Sequence, residues 1–346
     1  MIYFNSDYLE GAHPSIMVRL AETNMVQTVG YGEDEYCEAA REKIKTACQA
    51  PEADVHFLVG GTQTNTTVIA SILRPWQGVL SADSGHINCH EAGAIESTGH
   101  KVITLPAENG KITAKQVADY VDWHKNDEST EHIVQPAMVY ISHPTEGGTL
   151  YTKAELTELY NTCRACGLPL FIDGARLGYG LMADGTDLTL PEIARLCDVF
   201  YIGGTKVGAL FGEAVVIMNE ALKKDFRFMM KQRGGRLAKG RLLGIQFDAL
   251  FTDDLYFKIS RHAIEMAHQI RDIFVSAGYP LLFDSPTNQQ YPIMSDDELA
   301  ILGKSFGYEY WERVDETHSG VRFCASWATK QEHVDALRAA VNALKK

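Results

Sequence analysis

Two short segments of the chain each place one charged residue just beyond an apolar, strand-like run. They are Phe171-Ile172-Asp173-Gly174-Ala175-Arg176 and Tyr201-Ile202-Gly203-Gly204-Thr205-Lys206. A lysine amine can hold an aldehyde as a Schiff base, and a carboxylate can keep a pyridine nitrogen protonated so that its ring accepts electrons. Lys206 and Asp173 are therefore the residue types that a pyridoxal phosphate (PLP) site requires. Taken singly, Asp173 reads as a helix cap and Lys206 as a solvated loop lysine, as most such residues are. Their recurrence at the ends of neighbouring strand-like runs is what points to chemistry.

Other groups could complete such a site. Gly60-Gly61-Thr62 stands where the apolar run 55–59 hands over to a helical stretch that Pro75 terminates. Free backbone N–H groups and the helix dipole favour a phosphate at that kind of junction, with Gly61 allowing close approach and Thr62 adding a hydroxyl. The same three residues also read as a tight turn with a threonine cap. His86 follows the strand-like 79–81 and a polar loop, a position from which an imidazole can lie on a flat cofactor or act as a base. His143 ends the run 137–142 and is expected to reach the same crevice, although either histidine could be a hydrogen-bonded loop residue. Arg176, beside Asp173, and Arg322, on a late strand, offer the planar fork of donors that a substrate carboxylate calls for.

Competing site chemistries fail on spacing. Lys206 lies between Thr205 and Val207, so the Gly-Lys-Ser/Thr of a P-loop is missing. No Gly-x-Gly-x-x-Gly follows a strand near the amino terminus. His90-Glu91-Ala92-Gly93-Ala94 lacks the second histidine of a zinc helix, and Cys163 and Cys166 have no partner pair, so no metal is expected.

The elements that must position these groups alternate. Helical periodicity over 33–50, 114–123 and 153–166 is interleaved with strand-like runs at 55–59, 79–81, 101–105, 137–142, 168–172 and 198–202. Such alternation predicts an α/β fold, a mostly parallel sheet covered on both faces, with functional groups at the carboxyl ends of the strands. Longer helices at 243–250 and 256–276, a strand at 320–324 and a terminal helix at 330–344 follow. The expected division is a large domain, 1–250, and a smaller C-terminal α+β domain, 251–346, on which the amino-terminal segment could pack.

Of 346 residues, 45% are hydrophobic and 22% charged, the balance of a soluble globular protein. The net charge of −13 argues against nucleic-acid or anionic-membrane binding. With no basic segment leading into an apolar stretch at the start and no run of transmembrane length, a cytoplasmic protein is expected. Its seven scattered cysteines are expected to be reduced thiols.

With these residues in view, the chain resembles the L-threonine aldolase and β-eliminating lyase family of fold-type I PLP enzymes. The likeness is carried by Ser6-Asp7, Tyr31-Gly32-Glu33-Asp34, Gly61-Thr62 with Asn65, Asp83 and His86, His143 with Gly147-Gly148, Asp173-Gly174-Ala175-Arg176, and Lys206. The resemblance implies a transferase-like large domain with a mostly parallel seven-stranded sheet. It also implies that Lys206 forms the internal aldimine, Asp173 pairs with the pyridine nitrogen, His86 stacks on the ring, and Gly61 and Thr62 bind the phosphate. Ser6, Arg176 and Arg322 would hold the amino-acid carboxylate. Family members assemble as homodimers or homotetramers with shared sites, and Tyr31 matches a residue contributed across that interface.

Three departures surround the expected side-chain pocket. Thr205-Lys206-Val207-Gly208 replaces the family's Ser-Lys-Gly-Leu, and Glu146 occupies a usually small, uncharged position near His143. Leu237 stands where an arginine is usual, leaving Arg233, Arg236 or Lys239 to supply that charge. The leading expectation is retro-aldol cleavage of an L-β-hydroxy-α-amino acid, of the L-threonine or L-allo-threonine type, to glycine and an aldehyde. His143 is the expected base and His86 mainly stacks. A PLP-dependent β-eliminating lyase or an aminotransferase acting on another amino acid is the alternative.

Overall fold

A computed structural model describes residues 1–345; Lys346, the last residue of the expected small domain, lies outside them. The chain begins with the two-residue strand β1 (Ile2–Tyr3). Seven strands then build the main sheet: β2 (Asp54–Leu58), β3 (Gln77–Ala82), β4 (Lys101–Leu105), β5 (Gln135–Ser142), β6 (Leu170–Asp173), β7 (Val199–Gly203) and β8 (Glu213–Ile217). Their order is β2-β8-β7-β6-β5-β3-β4. Pairing is parallel from β4 through β7, and β8 runs antiparallel to both its neighbours. The parallel strands are apolar on both faces because helices cover both, as crossover connections require. Fold-type I architecture is thus present, with its mostly parallel seven-stranded sheet.

One unit shows how the sequence builds this. The helix Lys153–Cys166 opens with a capping box, in which the Thr152 hydroxyl accepts from the Glu155 N–H and the Glu155 carboxylate accepts from the Thr152 N–H. It ends at Gly167, whose φ of 72° is the left-handed conformation that glycine adopts freely. Three residues later β6 begins, and Asp173 is its last residue. In β5 and β6 alternate side chains go to opposite layers. Val139, Ile141 and Ile172 join the core beneath the helices Glu35–Cys48, Ala114–Asn126 and Lys153–Cys166. Tyr140 and Phe171 join the core under the helix Gly61–Ile72.

The strands β9 (Gln289–Gln290), β10 (Ile293–Ser295), β11 (Phe306–Gly307), β12 (Glu309–Arg313) and β13 (His318–Cys324) form the C-terminal sheet region. There β13 pairs with β9, β10 and β12, all antiparallel. The amino-terminal β1 pairs in parallel with β11, and Phe4 packs in the same core. The long helix Leu255–Ser276 serves both regions. Tyr256, Ile259 and Ile264 fill the main core, whereas Ile270, Ile273 and Phe274 fill the C-terminal one.

Candidate functional site

Two strand ends meet closely at the centre of the sheet. The Gly203 N–H donates to the Gly174 carbonyl at 2.9 Å. A Cβ on Gly174 would come within 1.9 Å of the Tyr201 carbonyl oxygen, and one on Gly203 within 2.3 Å of the Ala175 carbonyl oxygen. Only glycine permits that approach, and through it the Asp173 and Lys206 loops open on one cavity of about 460 Å³. The cavity lies at the carboxyl ends of β3, β5, β6 and β7, where ligands bind in open α/β sheets. Trp311 and Glu309 of β12 and Arg322 of β13 close its outer side.

Asp173 is held by four donors. The Tyr201 hydroxyl donates to Oδ1 at 2.5 Å and the Tyr140 hydroxyl to Oδ2 at 2.6 Å. The Asn65 amide donates to Oδ2 at 3.1 Å and the Ala175 N–H to Oδ1 at 3.0 Å. Lys206 lines the same cavity and forms no ion pair among the described residues. Burial, followed by the Arg176 guanidinium, pushes its amine below the usual lysine range. A more neutral amine is a better carbonyl nucleophile. Glu213, also on the cavity wall, accepts from the Thr205 hydroxyl at 2.7 Å and the Gly204 N–H at 3.1 Å, and burial raises its carboxyl.

His86 sits on another wall. Its Nδ1 bonds Glu91 Oε1 at 2.8 Å, and the same oxygen accepts from Asn65 at 2.7 Å. Burial alone would lower the imidazole's pKa, but the Glu91 hydrogen bond and the charges of Asp173 and Glu91 outweigh it and raise it. Gly60, Gly61 and Thr62 line the cavity where the helix Gly61–Ile72 begins. No side chain caps that helix, so its first-turn N–H groups are available to an anion. A Cβ built on Gly60 meets nothing within 4 Å, so the cradle has open space in front of it.

Arg176 and Arg322 both reach the cavity, and both are anchored. Arg176 Nε and Nη2 donate to the two Asp7 oxygens at 2.7 and 3.1 Å. Burial would raise the Asp7 carboxyl, but Arg176, and then Lys206, hold it at about 2. Arg322 bonds Gln289, the Asn5 carbonyl and Glu309, the last at 2.6 Å, and lies over the Trp311 ring.

The structure does not bring every expected residue to this place. His143 follows Ser142 on β5, so alternation turns it toward the opposite layer, near Tyr151. It is fully buried, neither ring nitrogen has a partner among the described residues, and burial lowers its pKa to about 4. It does not line the cavity, and its expected role as base is withdrawn. Ser6 is buried with its hydroxyl unpartnered and is also absent from the wall; its neighbour Asp7 is the residue that pairs with Arg176. Tyr31 lies exposed at another place, with Lys231 Nζ 4.6 Å from its ring centroid and Arg236 5.8 Å away. Arg236 also pairs with Glu33, and none of Arg233, Arg236 and Lys239 lines this chain's own cavity.

Sequence reasoning missed Tyr140, Tyr201, Glu91, Glu213 and the part of Asp7. A signal existed for the tyrosines. Tyr140 lies two residues before Ser142, which pairs in register with Asp173, so alternation puts all three on one face.

The family model for beta-eliminating lyases matches residues 4–338. The chain is similar to a threonine aldolase structure from Leishmania major, with 42% identity, 100% of both chains covered and a TM-score of 0.97. It is 28% identical over 337 residues to a low specificity L-threonine aldolase of Pseudomonas aeruginosa, covering 96% of this chain and 95% of the relative. A histidinol-phosphate aminotransferase from Clostridium acetobutylicum shares the fold at a TM-score of 0.74, with 13% identity over 100% of this chain and 99% of the other.

Proposed function

We propose that this chain, which belongs to the beta-eliminating lyase family, is a PLP-dependent aldolase that cleaves an L-β-hydroxy-α-amino acid of the threonine or allo-threonine type to glycine and an aldehyde. The observation that carries the reading is the juxtaposition in one cavity of a Lys206 with no ion pair among the described residues and a donor-encircled Asp173, with two arginines lining the same cavity. When bound, PLP supplies an aldehyde for amines and a protonated ring that accepts the electron pair of the breaking Cα–Cβ bond.

The chain's own residues supply the rest. Lys206 would hold the cofactor and release it to the substrate amine. Asp173 would keep the ring nitrogen protonated, its carboxylate already aligned by Tyr140, Tyr201 and Asn65. The Gly61 and Thr62 N–H groups would take the phosphate. His86, braced by Glu91, would lie against the ring, and Arg176 and Arg322 would orient the substrate carboxylate. The Glu309 partner of Arg322 would have to yield to that carboxylate.

Tyr31 and the basic residues around it would complete a neighbouring subunit's site in a homodimer or homotetramer. A division into domains at 1–250 and 251–346 remains our reading. Among the described residues no helix is long and apolar enough to cross a membrane. The seven cysteines are all free thiols, which suits the reducing cytoplasm in which we place the protein.

The test is release of glycine and acetaldehyde from L-threonine and L-allo-threonine by PLP-loaded protein. Pyruvate and ammonia from a β-substituted amino acid, without glycine from threonine, would favour a β-eliminating lyase. Conversion of the cofactor to pyridoxamine phosphate on adding an amino acid would favour an aminotransferase.

A further inference from the structure

We infer that Glu146 is the base that takes the proton from the substrate's β-hydroxyl, in the place left empty by His143; the inference rests on the aldolase reading. After His143 turns away into the opposite layer, the chain re-enters the cavity wall through Pro144, Thr145 and Glu146. Glu146 Oε1 accepts from the His86 backbone N–H at 2.9 Å and from the Ser142 hydroxyl at 2.6 Å. Its Oε2 has no partner among the described residues.

The loop that carries it is fixed. The Glu146 carbonyl accepts from the Tyr291 hydroxyl at 3.0 Å and from the Gln289 amide at 3.2 Å. A Cβ on Gly148 would come within 2.3 Å of Ser285 Oγ, so this turn is pressed against the segment before β9. The two donors from other residues converge on one oxygen, which leaves the other facing no neighbouring residue's donor and able to receive a proton from a ligand.

Most of the other titratable groups facing the cavity are committed elsewhere, whereas Tyr8 and His90 line it with no side-chain hydrogen bond among the described residues. Asp173 is surrounded by four donors, His86 is tied to Glu91, and Glu309 is paired with Arg322. Glu213 is turned to Thr205 and Gly204 beside Lys206, and His90 has a lowered pKa through burial and the neighbouring His86. The groups that act on Glu146 are Ser142 and Tyr140 from β5, His86 at the start of the short helix after β3, Asp173 from β6, and Tyr151 beyond the loop. Burial raises the Glu146 carboxyl, and the Asp173 charge adds to this, against hydrogen bonds from Ser142, from Glu146's own backbone N–H and from the His86 N–H. A carboxyl raised in this way is a stronger base.

In the step assigned to it, the β-hydroxyl proton passes to the Glu146 carboxylate, and the O–H electron pair becomes the second bond of the aldehyde carbonyl. The Cα–Cβ pair stays with Cα. A proton from solvent then reaches Cα, and Glu146 returns its own to solvent, so glycine and aldehyde leave with no net change in protons.

The experiment compares wild type and Glu146→Gln in three readouts. PLP affinity is titrated by absorbance, glycine release from L-threonine is followed over pH, and exchange of the glycine α-hydrogen with deuterium is followed by NMR. That exchange breaks no Cα–Cβ bond and needs no base at a hydroxyl. We expect PLP affinity to be retained, kcat for glycine release to fall by about 10²–10⁴-fold, the general-base range, and exchange to fall far less. The acidic limb of the kcat profile should vanish in the variant. A loss of kcat below tenfold overturns the assignment, as does an equal loss in both reactions, which would mean that Glu146 only shapes the site. If the wild type exchanges glycine hydrogen yet releases no glycine from any β-hydroxy amino acid, the aldolase reading fails instead.

Discussion

Asp7→Asn removes the charge that holds Arg176, and the structure sets the size of the effect. Asp7 is 0% exposed and accepts two bonds from Arg176 and one from Asn288 at 2.9 Å. Its carboxyl lies at about 2 in the folded chain against an ordinary 3.8. A folded-state pKa below the unfolded one means that ionised Asp7 stabilises the fold above pH 3.8, and that this is lost as the pH falls through 2. The difference corresponds to about 2 kcal/mol. Asparagine also leaves the buried guanidinium without a counter-charge, and Arg176 cannot shed its proton, so the expected loss at pH 7 is about 3–5 kcal/mol. Equilibrium urea unfolding at pH 7 measures it, and the gap to wild type should narrow as the pH falls from about 4 toward 2, where folded wild-type Asp7 protonates as well. In the loaded enzyme a displaced Arg176 should raise KM for the amino acid more than it lowers kcat. A loss under about 1 kcal/mol at pH 7, well below the cost of stranding a buried charge, would refute the argument that Asp7 anchors Arg176.

Two further outcomes follow from residues on either side of the site. His143→Leu should leave glycine release within a few-fold of wild type, because the imidazole is outside the cavity. Its folded pKa of about 4, below the unfolded 6.5, makes wild type lose stability as the pH falls from 6.5 toward 4, by about 3 kcal/mol. The leucine variant should lack that part of the slope in urea unfolding at pH 7.5 and pH 5, and a hundredfold loss of kcat would restore His143 to the mechanism. Gly60→Ala should fold with wild-type stability, since its Cβ meets no protein atom within 4 Å. It should bind PLP at least tenfold more weakly, a loss of about 1.4 kcal/mol; unchanged affinity would place the phosphate elsewhere.

Much of this was legible in the sequence because sheet geometry is periodic. Alternating strand and helix patterns located β2 through β7, and the rule that groups gather at strand carboxyl ends placed Asp173 and Lys206. β8 escaped because four apolar residues after a glycine-rich loop carry no period of their own, although it is a central strand that brings Glu213 to Lys206. His143 was misplaced by ignoring the same parity that identifies Tyr140. With Ser142 on the cavity face, the next residue must face away unless the strand has already ended. Asp7 and Glu309 lie far from their arginine partners in the chain or on a strand with little apolar signal, so only the tertiary fold reveals the pairs.

The most direct measurement is borohydride reduction of PLP-loaded protein followed by peptide mapping, in wild type and in Lys206→Ala. The account predicts a phosphopyridoxyl group on the peptide that contains Lys206, and in the alanine variant neither that label nor glycine release from L-threonine. A label fixed on a different lysine, or an alanine variant that still cleaves threonine at the wild-type rate, would contradict it.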